Sequence, residues 1–339
     1  MKRVYFLLFG ILIPVFAYAQ ELKQEIDLSG EWQFEIGDNM RYAKISFDDT
    51  KWDPVTVPDC WENAGYPGYD GFAWYRRWIT LPEKLREKYL VLKLGRIDDA
   101  DQVYLNGRFI NGLGFLEPGA FSVANELREY ILPKDFCFYG KKNLIAVRVY
   151  DHKGCGGIYD PPVGIYSNPE FSRLLKMDIA GLWKFKVGDS ASWSKKDYDD
   201  SQWIEITAPC EWEWQGFPNL DGFCWYRKHF ALDTHLRGES LILVLGKIND
   251  MDEVFFNGVR IGRTGAFTPV DLQPHGTEIW QTERFYFIPP HLINWEKENV
   301  VAIRVFDVWR AGGIWQGPLG ITTREEYLHY IAKKERDEQ

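Results

Sequence analysis

Two stretches of this chain combine aromatic rings, carboxylates and glycines in the way sugar recognition requires. CWENAGYPGYDG (60–71) carries Trp61, Glu62, Tyr66 and Asp70, and EWEWQGFPNLDG (211–222) carries Trp212, Glu213, Trp214, Phe217 and Asp221. A carboxylate accepts hydrogen bonds from hydroxyl groups, and an indole face covers the C–H side of a pyranose ring. The same residues also suit a plain tryptophan plug, with the glutamate capping backbone N–H groups. A second pair, YDHKGCGGIYDPPVG (150–164) and FDVWRAGGIWQGPLG (306–320), offers Asp151 and Tyr159 in one case and Asp307 and Trp315 in the other. Its Gly-Gly step permits positive φ and a close approach of backbone to a ligand; the alternative is a bulge that ends a strand. A third pair, DDAD (98–101) and NDMD (249–252), clusters Asp98, Asp99, Asp101, Asp250 and Asp252 as oxygen ligands of the kind calcium takes. It lacks the glycine and distal glutamate of an EF-hand loop, and turn formation with pairing to Arg96 or Arg148 is the competing account.

Catalysis is harder to place. Glycoside hydrolysis needs two carboxyl groups at a fixed separation, one with a raised pKa. Glu62 with Asp70 or Asp151 has the right types, but spacing in sequence gives no distance. The six histidines are scattered, and there is neither a Gly-x-Ser-x-Gly elbow nor a His-Glu-x-x-His pair. No residue is assigned a catalytic role.

These loops recur because the chain repeats itself. SGEWQF (29–34), FDDTKW (47–52), VPDCWE (57–62) and LGRIDDADQVYLNG (94–107) return 151 residues later as AGLWKF, YDDSQW, APCEWE and LGKINDMDEVFFNG. IAVRVYD (145–151) and the Gly-Gly loop return after 156, so the second copy holds five extra residues between Gly258 and Val301, around TPVDLQPHGTEIW. Two copies of this length are complete domains rather than solenoid units. SNPEFSRLLK (167–176) joins them without a flexible spacer, so the domains are expected to pack together. Within each copy, short β-rich runs alternate with polar turns, and LNGR and FNGV are Asn-Gly hairpin signals. DGFAWYRR (70–77) and DGFCWYRK (221–228) read as one strand, with Phe72, Trp74, Arg76 and Trp78 on one face and Ala73, Tyr75, Arg77 and Ile79 on the other. Helical periodicity appears only at 324–339, read as a C-terminal helix with a charged, fraying tail.

Net charge is −9, which disfavours nucleic acid and anionic membranes as partners. Aromatics make up 16% of residues and include 15 tryptophans, enough for sugar platforms, sandwich cores or both. Residues 1–19 read as a secretory signal peptide: Lys2 and Arg3, an apolar run, then Ala17-Tyr18-Ala19 before cleavage. No later segment is apolar enough to span a bilayer, and a periplasmic or secreted location is expected. Five cysteines cannot all pair, and they show no metal-type spacing. They read as small buried hydrophobes, with a Cys210–Cys224 disulfide left open.

The ordered series FDDTKW, VPDCWE, GFAWYRR, LGRIDDADQVYLNG, NLIAVRVYD and GGIY resembles the N-terminal sugar-binding domain of family-2 glycoside hydrolases, the β-galactosidase, β-glucuronidase and β-mannosidase group. The resemblance covers 28–165 and again 179–321. It implies an all-β chain of two tandem galactose-binding-like jelly-roll sandwiches (20–170 and 171–323) followed by a helical tail (324–339). It also implies that the Gly-Gly loop faces a sugar, and that a structural calcium would fit the fold, with no other cofactor. The family's catalytic TIM barrel needs about 250 residues, and the short stretch after Ile321 cannot supply it. The expected function is therefore non-catalytic carbohydrate binding beside a partner glycosidase, through Trp61, Glu62, Asp70, Asp151 and Tyr159 and through Trp212, Glu213, Asp221, Asp307 and Trp315. The rival readings are a hydrolase site at a rim or between the domains, and a protein–protein interaction module.

Overall fold

The computed structural model describes residues 22–116, 122–267, 279–309 and 311–337. The expected signal peptide (1–19) and most of the second copy's extra stretch lie outside the described residues. The first copy contains Lys23–Asp27 (β1), Gly30–Ile36 (β2), Asp53–Val57 (β3), Gly71–Thr80 (β4), Tyr89–Asp98 (β5), Ala100–Leu105 (β6), Arg108–Leu113 (β7), Leu127–Ile131 (β8), Lys142–Asp151 (β9) and Gly157–Asn168 (β10). After the short helix Pro169–Leu174 (α1), the second copy repeats the set: Met177–Asp178 (β11), Gly181–Val187 (β12), Ile204–Ala208 (β13), Gly222–Phe230 (β14), Leu241–Asn249 (β15), Met251–Phe256 (β16), Val259–Thr264 (β17), Glu283–Phe287 (β18), Asn299–Asp307 (β19) and Gly313–Thr323 (β20). The chain ends in Arg324–Asp337 (α2).

Each copy is a two-sheet antiparallel sandwich. A four-stranded sheet (β1-β10-β5-β8, then β11-β20-β15-β18) faces a six-stranded one (β3-β2-β4-β9-β6-β7, then β13-β12-β14-β19-β16-β17). Period-2 alternation makes this arrangement, because each strand turns one row of side chains into a core. In β4, Ala73, Tyr75 and Ile79 point into the inter-sheet core of the first copy with Trp32, Phe34 and Leu92. Cys224, Tyr226 and Phe230 do the same in the second. The Asn-Gly turns have positive φ at both central residues, 54° and 81° at Asn106 and Gly107, and 48° and 87° at Asn257 and Gly258. That is the geometry of a tight hairpin matched to strand twist.

The opposite face of β4 is covered as well. Trp74 packs with Trp52, Tyr42 and Phe47 under the 38–52 segment. Arg76, fully buried, donates to Asp49 at 2.7 Å and to the carbonyls of Tyr42, Lys44 and Phe47. Arg227 repeats this with Asp200 at 2.6 Å and the carbonyls of Trp193, Lys195 and Tyr198. The WYR core of the repeated stretch is thus a clamp that fastens a long connection to the sheet.

The copies pack side by side. Thr207 of β13 donates its hydroxyl to the Phe109 carbonyl of β7 at 2.8 Å, and the Cys210 thiol donates to Asn111 Oδ1 at 3.1 Å. Phe115 meets Trp214 with ring centroids 4.9 Å apart. The linker is ordered as α1, capped by the Asn168 side chain, which accepts from the Phe171 N–H. The helix α2 docks rather than frays: Tyr330 is buried against Phe171 and Phe285, and Lys333 and Lys334 reach Glu170 and Glu283. Charge along its sequence concealed this, because the partners lie on α1 and β18.

Cysteine pairing also departs from expectation. Cys60 and Cys155 form a disulfide, with Cα atoms 5.3 Å apart. Cys137, Cys210 and Cys224 are buried free thiols, so the Cys210–Cys224 pair does not exist. The bonded pair lies 95 residues apart in sequence, on two loops that only the sandwich brings together.

Candidate functional site

One end of each sandwich gathers the conspicuous loops. Gly71 pairs with Asp151 and Asp98 with Gly157 in the first copy; Gly222 pairs with Asp307 and Asn249 with Gly313 in the second. The β3–β4 and β9–β10 loops, and the β5–β6 step, therefore share a rim.

Trp61 and Trp212 occupy the floor of that rim, at 1% and 0% exposure. A Cβ on Gly156 would lie 2.0 Å from the Trp61 ring, and one on Gly312 would lie 1.9 Å from Trp212. The Gly-Gly step is thus required by close approach to an internal indole rather than to a ligand. This corrects the assignment of Trp61 and Trp212 as sugar platforms: their faces are enclosed. Glu62 and Glu213 brace the same contact, each accepting the N–H of the facing glycine at 3.2 Å and 3.0 Å. Gly312→Ala is expected to destabilise the second copy by about 1–3 kcal/mol or more through overpacking; chemical denaturation checks it, and an unchanged midpoint would show that Trp212 can move aside.

Asp151 and Asp307 are completely buried at the ends of β9 and β19. Burial, with the charges of Asp99, Asp70 and Glu62, pushes Asp151 up to about 6. Asp307 goes further, to about 9, through burial and through the neighbouring carboxylates of Asp250, Asp221 and Glu213. Among the described residues neither oxygen of Asp307 meets a donor. Burial also lifts Glu213 to about 7. Asp70 and Asp221 are exposed at the lip.

The acidic steps divide. Asp101 and Asp252 are buried scaffold, bonded to Arg128 at 2.8 Å and Arg284 at 2.9 Å and to the hydroxyls of Tyr130 and Tyr286. They are withdrawn as calcium ligands because their oxygens are spent, and their partners are not Arg96 or Arg148, which pair with Asp160 and Asp38. Asp250 accepts the Val308 N–H at 3.0 Å. Asp98, Asp99 and Asp151 remain as one cluster, each offering an oxygen within 4.8 Å of the others. These residues fit a calcium ion: one of them, Asp151, is fully buried with Oδ2 lacking any donor among the described residues.

The aromatic surface lies elsewhere than the Trp-Glu loops suggested. Tyr159 is half-buried and donates its hydroxyl to the Ala124 carbonyl. Trp315 is half-buried, 5.7 Å from Trp280 between centroids, with Lys247 Nζ 5.3 Å above its ring. Trp280 and Trp309 are 38% and 44% exposed. Neither was singled out from sequence. The available signal was that Trp280 closes the second copy's extra stretch and Trp309 stands where the first copy has Lys153.

No family model matches the chain. Among curated proteins it is 25% identical over 158 residues to the beta-galactosidase BoGH2A of Bacteroides ovatus, covering 43% of this chain and 17% of that one. It is 26% identical over 139 residues to a beta-glucuronidase of Formosa agariphila, covering 36% and 12%. The chain thus spans less than a fifth of the length of the curated relatives it matches. A solved Bacteroides uniformis beta-glucuronidase aligns over 85% of this chain and 28% of its own at 15% identity, with a TM-score of 0.38. A Ruminococcus gnavus beta-glucuronidase in complex with D-glucuronic acid aligns over 79% and 40% at 11% identity, with a TM-score of 0.34. The relatives are family-2 glycosidases, as the motif series implies, and the likeness covers only part of this chain and a small part of theirs.

Proposed function

We propose that the chain is a non-catalytic carbohydrate-binding protein acting outside the cytoplasm, beside a partner glycosidase. The observation that carries this reading is the Trp280–Trp315 pair, which presents part-exposed indole faces beside Lys247 at the acidic rim of the second copy. Ring faces take the apolar side of a sugar, while the Lys247 ammonium addresses its hydroxyls. The curated relatives, a beta-galactosidase and beta-glucuronidases, favour a carbohydrate ligand. The Cys60–Cys155 disulfide and the composition of residues 1–19 favour an oxidising compartment. Against a hydrolase, Asp307, the rim acid with the most strongly raised pKa, is entirely buried and out of reach of a glycosidic oxygen.

Calorimetric titration with galactose, mannose, glucuronate and oligosaccharides of plant, host and bacterial origin tests the reading. Saturable binding is expected, weakened by roughly tenfold or more in Trp315→Ala, the loss of one stacking contact. Binding to none of these glycans, or binding indifferent to Trp315→Ala and Trp280→Ala, would sink it.

A further inference from the structure

We propose that the first copy binds one hard divalent cation, of the calcium class, between the carboxylates of Asp98, Asp99 and Asp151. The three oxygens lie within 4.8 Å of one another, close enough for a single ion to touch all three. Like charges at that separation repel, and something must compensate them. The nearest guanidinium is committed: Arg128 holds Asp101 and the carbonyls of Val123, Glu126, Ile97 and Asp99. Asp99 is steadied by the His152 N–H at 2.8 Å. Asp151 satisfies one oxygen with the Lys153 N–H, and its other oxygen, fully buried, has no donor among the described residues. An unpartnered buried carboxylate oxygen costs free energy unless a cation or proton meets it. The donor set is all oxygen, and the sulfurs nearby, Cys60 and Cys155, are locked in a disulfide, which selects a hard ion over zinc. Asp98 and Asp99 are half-exposed, so water can complete the large coordination shell calcium prefers.

The second copy is a built-in contrast. Asn249 replaces Asp98, and no three-carboxylate cluster is found there among the described residues. The stoichiometry is therefore one ion per chain. This inference stands apart from the sugar reading, since it concerns the first copy and is tested without glycan.

Calorimetric titration of the chelator-treated full chain with calcium chloride is expected to show one site with a Kd of about 10⁻³ M or tighter, accompanied by a rise in Tm. Asp98→Asn, which imports the second copy's residue, and Asp151→Asn should each weaken uptake by about tenfold or more, because affinity follows the number of charged ligands. Circular dichroism and an intact Cys60–Cys155 bond establish that each variant is folded. Absence of saturable uptake up to about 10 mM calcium, or uptake retained in both folded variants, would overturn the proposal.

Discussion

Arg227→Met should cost the second copy about 3–5 kcal/mol and unfold it well before the first. The guanidinium is fully buried and bonded to Asp200, itself 10% exposed at the side chain, and to three backbone carbonyls. Methionine fills the volume but removes the guanidinium donors from Asp200 and from the carbonyl oxygens of Trp193, Lys195 and Tyr198. The penalty is the desolvation of those stranded groups rather than the net worth of the ion pair. His229, which also reaches Asp200 at 2.8 Å, remains as a side-chain partner of that carboxylate. The surface pair Arg237–Glu296 supplies the control: Arg237→Met should change stability by less than about 1 kcal/mol. Urea unfolding followed by tryptophan fluorescence reads both. An Arg227→Met chain as stable as wild type would mean that the 190–200 connection is not held by this clamp.

Asp307→Asn should have the opposite sign. A carboxyl whose folded pKa is raised binds its proton more tightly in the native state than in the unfolded one, where it ionises near 3.9. Stability then falls as pH rises, starting at the unfolded value and ending only when the folded group ionises at about 9. Each pH unit inside that window removes on the order of 1.4 kcal/mol. By pH 7 the sum is a few kcal/mol, and no solvent discount applies because Asp307 is wholly buried. Asparagine fills nearly the same volume and cannot ionise. The variant should therefore match wild type near pH 4, exceed it at pH 7 and exceed it most at pH 9. Thermal unfolding across that range checks the slope; a difference independent of pH would remove burial of Asp307 as its cause.

Much of the scaffold was legible because repetition exposed it. A fixed offset, two Asn-Gly turns and alternating strands define the sandwich and its duplication without any distance information. Face assignments within DGFAWYRR also follow from period 2, and the recurrence of Arg76 as Arg227 marks an invariant demand of the fold. Loop side chains are different. Whether Trp61 faces solvent or the core is decided by Gly156, 95 residues on, and only the shared presence of Trp-Glu and Gly-Gly in both copies hints at their contact. Cys60 and Cys155 meet for the same reason and were equally invisible. Asp98 and Asp101 look alike in DDAD, yet alternation sends Asp101 inward to Arg128 while Asp98 stays at the rim. Trp280 escaped notice because its counterpart in the first copy is Ala124, so comparing the copies shows no recurring aromatic there.

The lateral contact between β7 and β13 has a consequence for assembly. It joins one edge of a six-stranded sheet to the other edge of the next, a head-to-tail relation that does not close on itself. Repeated between molecules it would build a fibre. The two outer edges of the row, β3 and β17, are composed to prevent this. Where β13 has Glu205, β3 has Pro54, which brings no amide hydrogen to an incoming strand. Where β7 has Phe109 and Gly112, β17 has Arg260 and Arg263, whose charges repel a third copy. The chain thus uses strand-edge docking once, inside itself, and terminates it at both ends.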